Sequence, residues 1–140
     1  MKQIALLATM LSVMFFTISC KNQGSKKEIV QNLSASGVNV YYFHFTRRCP
    51  TCLAVEENAR KAVEELYSNE VKTGEYAFHA LNLDEESGKK IAENLGVGGQ
   101  TLLVVRGEKK IDITDKGFLN AHDLARMKEE IKSAVDKVLF

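Results

Sequence analysis

Three cysteines stand at positions 20, 49 and 52, and two of them form a tight motif, Cys49-Pro50-Thr51-Cys52. Cysteines three apart at a helix start share a face and fall within the ~5.5 Å Cα separation that a disulfide requires. Pro50 suits the first helical position, where a missing N–H costs nothing. Cys49 is then expected at the N-cap, facing unpaired backbone N–H groups and the positive end of the helix dipole. A thiolate is stabilised there, and the thiolate is the attacking species in thiol-disulfide exchange. Arg47 and Arg48 add positive charge just before it, and Thr51 separates Pro50 from Cys52. Cys52 sits one turn inside and less exposed. This assigns Cys49 as nucleophile and Cys52 as the resolving thiol that releases a mixed disulfide.

Two other uses of the pair stay open at this point. An inert staple would stabilise little, because so short a loop removes little chain entropy when closed. A metal site needs two further ligands beyond two thiolates. His44 and His79 are the nearby candidates, but each lies on an apolar strand where a hydrogen-bonded core histidine is expected. No metal ligand set is therefore assigned.

The elements that must position the cysteines follow from hydrophobic periodicity. Val38 to Phe45 is β-branched and aromatic on both parities, the pattern of a strand covered on both faces. Pro50 to Tyr67 carries Val55, Ala59, Ala62, Val63 and Leu66 at helical spacing. Tyr76 to Leu83 is predicted as a second strand, and Glu85 to Leu95 as a short helix weakened by Gly88. Thr101 to Val105 and Lys110 to Thr114 form a hairpin turned at Arg106-Gly107-Glu108. One last helix is predicted from Ala121 to Val138, capped by Asn120 with Asp123 three residues on. The order is β-α-β-α-β-β-α, which implies an α/β fold with a mixed four-stranded sheet and helices on both faces.

Residues 1–19 form a separate unit. Lys2 precedes a nearly continuous apolar run from Ile4 to Ile18, which is shorter than the ~20 residues of a membrane span and suits a secretory signal. Thr17-Ile18-Ser19-Cys20 resembles a bacterial lipobox, which implies cleavage before Cys20 and lipidation of it. Residues 20–36 read as a polar tether, and residues 37–140 as the folded domain. The expected place is the bacterial cell envelope, on the periplasmic side. Lys21 is no familiar inner-membrane retention signal, which favours the outer membrane. An oxidising compartment also permits the remaining cysteine pair to bond. The composition is 45% hydrophobic and 26% charged with a net charge of +1, which is globular and offers no nucleic-acid surface.

Together the strand Val40 to Phe45 leading into the cysteine motif, Leu81-Asn82-Leu83-Asp84, Leu95-Gly96-Val97 before Thr101 to Val105, and the hairpin resemble the thioredoxin superfamily over residues 38–140. In overall layout the chain is most similar to lipid-anchored thioredoxin-like proteins of Bacteroidetes-type bacteria. The resemblance implies a thiol-disulfide oxidoreductase with no cofactor beyond its redox-active cysteine pair. It also implies a protein thiol or disulfide as substrate and a separate electron-transfer partner. The family usually places a cis-proline just before the position of Thr101, in a loop that faces the cysteines and docks substrate. This chain has Gln100 there, and a cis bond before it would cost about 2.5–4 kcal/mol, so a trans bond is expected. Phe43 stands where thioredoxin proper has a buried acid, and Arg48 where it has a tryptophan. Gln100 and Thr101 are accordingly counted with Arg47, Arg48, Pro50 and Thr51 as the surroundings of the site.

Overall fold

The computed structural model describes residues 37–140. The signal peptide expected over residues 1–19, the lipidation of Cys20 and the tether over 20–36 lie outside the described residues.

The first strand, β1 (Val38–His44), is the hub. Its apolar residues alternate between two cores. Val38, Val40 and Tyr42 point to one, and Tyr41 and Phe43 to the other. Both faces are covered, which explains why the sequence is apolar on both parities. After β1 the chain enters α1 (Pro50–Leu66), then a short α2 (Ser68–Thr73). It returns as β2 (Tyr76–Asn82), parallel to β1 with Val38 opposite Tyr76 and His44 opposite Asn82. Next come α3 (Glu86–Leu95), β3 (Thr101–Arg106) and β4 (Lys109–Asp112). Two helices close the domain, α4 (Thr114–Leu119) and α5 (Leu124–Leu139). The sheet order is β2-β1-β3-β4, with β3 antiparallel to both neighbours.

The larger core joins one sheet face to α1 and α5, through Val55, Ala59 and Val63 on α1 and Met127, Ile131, Val135 and Val138 on α5. Each of these valine, isoleucine and methionine side chains contributes roughly 1.5–3 kcal/mol on full burial. The smaller core, on the other face, seats Ile91 and Ala92 of α3 against Tyr41, Phe43, Leu103 and Val105. The expected mixed four-stranded sheet with helices on both faces is what forms.

The structure departs from the sequence expectations at three places. The helix from Pro50 ends at Leu66, because Tyr67 leaves helical geometry (φ −129°, ψ 41°), its ring lying tilted against Tyr76 with centroids 4.8 Å apart, and α2 follows. The single final helix is two. Asn120 does not start it; Asn120 is the C-cap of α4, and its N–H reaches the Lys116 carbonyl. Asp123 is the true N-cap of α5, its carboxylate accepting the Arg126 N–H at 3.0 Å. Finally, Gly88 is no weak point. A Cβ there would lie 2.0 Å from the Asn82 carbonyl oxygen, so glycine is what lets α3 rest on the end of β2.

Candidate active site

The Cys49-Pro50-Thr51-Cys52 motif sits where β1 gives way to α1. Cys49 is the N-cap, with extended backbone (φ −84°, ψ 162°), and Pro50 opens the helix. The Cys49 sulfur accepts the backbone N–H of Cys52 at 3.1 Å, as an N-cap oxygen would. Cys49 and Cys52 are disulfide-bonded, with their Cα atoms 5.0 Å apart. Cys49 is exposed, whereas Cys52 is only 7% exposed. The asymmetry expected from the sequence is therefore present: one sulfur can be reached from outside, and the other lies behind it. Thr51 between them is half-buried.

The segment before Cys49 is pinned to the turn after β2. The Thr46 N–H donates to Asp84 Oδ2 at 2.8 Å, and Asn82 Nδ2 donates to Thr46 Oγ1 at 3.0 Å. The Thr46 bonds hold the Asp84 carboxyl below the ordinary carboxylate range. The two arginines play different parts. Arg47 is exposed. Arg48 is not a free positive charge aimed at the sulfur: its guanidinium pairs with Glu56, one helical turn beyond Cys52, and lies over the Tyr42 ring with 6.0 Å to the centroid. Glu56 also pairs with Arg60 at 3.0 Å. Two cations thus share one carboxylate along the outer side of α1.

Gln100 and Thr101 lie on the loop entering β3. All peptide bonds of the described residues are trans, including the one before Gln100. Thr101 pairs with Phe43 across the sheet, and its hydroxyl donates to the Gly99 carbonyl at 3.0 Å. Gln100 Nε2 donates to the Tyr42 hydroxyl at 2.5 Å, and that hydroxyl donates to the Cys52 carbonyl at 3.1 Å. Burial raises the Tyr42 phenol above its ordinary value, partly offset by the Gln100 hydrogen bond and the Arg48 charge. Tyr42, Glu56 and Asp84 are the parts of the site that sequence reasoning missed. Tyr42 carried a weak signal: a hydroxyl on the β1 parity that faces α1 needs a buried partner.

Phe43 lies wholly within the smaller core, away from α1. The residue of β1 under the cysteines is its neighbour Tyr42. Of the two histidines, His79 is half-buried, bonds Asn39 at 3.0 Å and stacks on Tyr41. His44 is not a core histidine. It sits half-exposed at the end of β1, its Nδ1 3.0 Å from the Phe45 carbonyl. Among the described residues no group of three or more His, Cys, Asp or Glu side chains gathers as metal ligands do.

Apolar surface flanks the exposed sulfur. Phe45 and Leu53 remain 43% and 51% exposed. Phe45, Leu83, Ala92, Val97 and Gly98, with the charged Lys89 and Glu93 of α3, line a groove of about 300 Å³.

No protein-family model matches the chain, and neither does any curated protein. Solved structures do. Zinc-bound human ERp44 superposes with a TM-score of 0.55 at 16% identity, over 78% of this chain. The fold is thioredoxin-like. Oxidised thioredoxin O2 from Arabidopsis thaliana also matches, with a TM-score of 0.48 and 19% identity over 70% of this chain and 75% of that one. The thioredoxin-like chain spans only 29% of the ERp44 chain.

Proposed function

We propose that this protein is a thiol-disulfide oxidoreductase of the bacterial envelope, with Cys49 as nucleophile and Cys52 as resolving thiol. The observation that carries the reading is Cys49 at the N-cap of α1, exposed, with its sulfur accepting a helix N–H, while bonded Cys52 is buried behind it. In the reducing direction the Cys49 thiolate attacks one sulfur of a substrate disulfide. A Cys49–substrate bond forms, the substrate S–S bond breaks, and one substrate thiolate leaves. Cys52 then gives up its proton and attacks the Cys49 sulfur, forming the Cys49–Cys52 bond and expelling the second thiolate. Run backwards, the same steps oxidise a dithiol. The helix N-terminus favours the thiolate form, which makes the disulfide the more oxidising partner.

The substrate class is a protein thiol or disulfide. The exposed apolar surface at Phe45 and Leu53 and the groove beside it suit a segment of apolar side chains flanking the reacting cysteine. Gly98 and Gly99 have open space where a Cβ would stand, so another backbone can come close. A second thiol or disulfide protein must restore the starting state, and no further cofactor enters the scheme. Nucleic acid has no part in it. The apolar leader and the Ser19-Cys20 pair support lipid attachment at Cys20, with the domain on the periplasmic side and the outer membrane preferred.

Thiol trapping in cell envelopes tests the reading. Cys52→Ser is expected to hold substrate proteins as mixed disulfides through Cys49, and Cys49→Ser to hold none. Equal capture by both variants, or by neither, would refute it. The alternative, a metal-binding or adaptor module without turnover, predicts stoichiometric metal in the reduced protein and no reduction of any disulfide.

A further inference from the structure

Beneath the disulfide runs a chain of three polar groups that the exchange chemistry does not by itself require. Tyr42 is fully buried. Its one proton goes to the Cys52 carbonyl, so Gln100 must present its NH₂ to the phenol oxygen. On the other side of the same residue, the Cys52 N–H donates to the Cys49 sulfur. Cys52 is therefore held through both of its peptide units, one by its redox partner and one by a tether that ends on the loop entering β3. That loop carries the open Gly98-Gly99 surface beside the apolar groove.

We propose that Gln100 and Tyr42 are positioning residues for the resolving step. They fix Cys52 where its thiol meets the Cys49 sulfur of a mixed disulfide, and they tie that placement to the loop at 98–101. The inference rests on the redox reading above. Its mechanism is directional. Gln100 donates to Tyr42, which leaves the Tyr42 proton for Cys52. A carboxylate at position 100 can only accept, so it would draw that proton away and leave the Cys52 carbonyl without its tether to Tyr42.

The test uses the reduced full chain carrying Cys20→Ser and the disulfide probe dithionitrobenzoate, whose released aromatic thiolate is coloured. In the first phase the Cys49 thiolate bonds one probe sulfur, the probe S–S bond breaks, and one aromatic thiolate is released. In the second, Cys52 loses its proton and attacks Cys49, forming the Cys49–Cys52 bond and releasing the other. The protein is oxidised by two electrons and the probe reduced to two thiolates.

Tyr42→Phe is expected to slow the second phase about tenfold while leaving the first within about twofold, the size of one lost hydrogen bond. Gln100→Glu, on the half-buried loop, should give the same split without emptying the core. Tyr42→Phe combined with Gln100→Glu should be no slower than Tyr42→Phe alone, since both act through one bond. Gln100→Met, whose thioether is only a weak acceptor, should slow the second phase less than Gln100→Glu. An unchanged second phase, equal slowing of both phases, or additive effects in the double variant would overturn the inference and leave the redox reading standing. Absence of any first phase in the Cys20→Ser parent would overturn both.

Discussion

At the scale of single residues, the site is a problem of charge around one sulfur. The helix terminus favours a Cys49 thiolate, and Arg48 is partly cancelled by Glu56. Glu56→Gln removes a negative charge from α1 and releases Arg48. The thiolate of reduced Cys49 should then be further favoured at low salt, with the difference shrinking toward zero near about 1 M salt, where the screening length is short. Ultraviolet thiolate absorbance against pH, measured in the two proteins at both ionic strengths, checks this. A rise in pKa would show that Glu56 acts by some route other than charge. The cysteine pair and the N-cap were readable because they depend on neighbours along the chain, whereas the part expected of Arg48 was not, because Glu56 takes up its charge. The Glu56 pairing and the Tyr42–Gln100 bond were not, since the latter joins residues from β1 and the loop before β3 that meet only once the sheet has formed.

At the scale of elements, strands β1 and β3 and the apolar stripes of α1 and α5 were legible from periodicity, because burial selects apolar residues at fixed spacing. The short helices α2 and α4 were not. Six-residue helices have too few turns to show a stripe, and α4 owes its place to contact: Gly117 lies so near Leu102 that a Cβ would approach its side chain to 2.7 Å. The role of Gly88 was misread for the same reason, since intrinsic propensity says nothing of a carbonyl arriving from β2. Gly88→Ala, stabilising in an exposed helix, should here destabilise the fold by about 1–3 kcal/mol, the range for overpacking. A midpoint shift in denaturant unfolding reads this out, and stabilisation by alanine would contradict the packing. Asp123→Ala should cost about 1 kcal/mol through loss of the α5 N-cap, whereas Asn120→Ala should leave the α5 start intact.

At the scale of the whole domain, the parallel pairing of β1 and β2 is supplemented by the part-buried Asn39–His79 bond and the stacking of His79 on Tyr41. Burial lowers the His79 pKa beneath its ordinary 6.5. The folded chain therefore binds a proton at that site less readily than the unfolded chain. The neutral imidazole's contribution is complete above about 6.5 and is lost as pH falls from there through the lower folded value. Unfolding free energy measured from neutral to mildly acidic pH should decline over that window, and a His79→Gln variant should decline less. An identical decline in both proteins would place the titration elsewhere. The α/β class and the mixed four-stranded sheet were legible in the sequence because a strand, a crossover helix and a second strand admit few arrangements, whereas the order β2-β1-β3-β4 was not read from it.

In the proposed exchange Cys49 is the ionised, reachable sulfur and Cys52 the protonated one behind it. Its most direct test is the alkylation rate of each cysteine in the reduced protein as a function of pH, resolved by peptide mass analysis. The account predicts that Cys49 reacts first, with a midpoint well below the ~8.5 of a free thiol, and that Cys52 reacts far more slowly. A Cys49 midpoint at or above that value, or Cys52 reacting as fast, would contradict it.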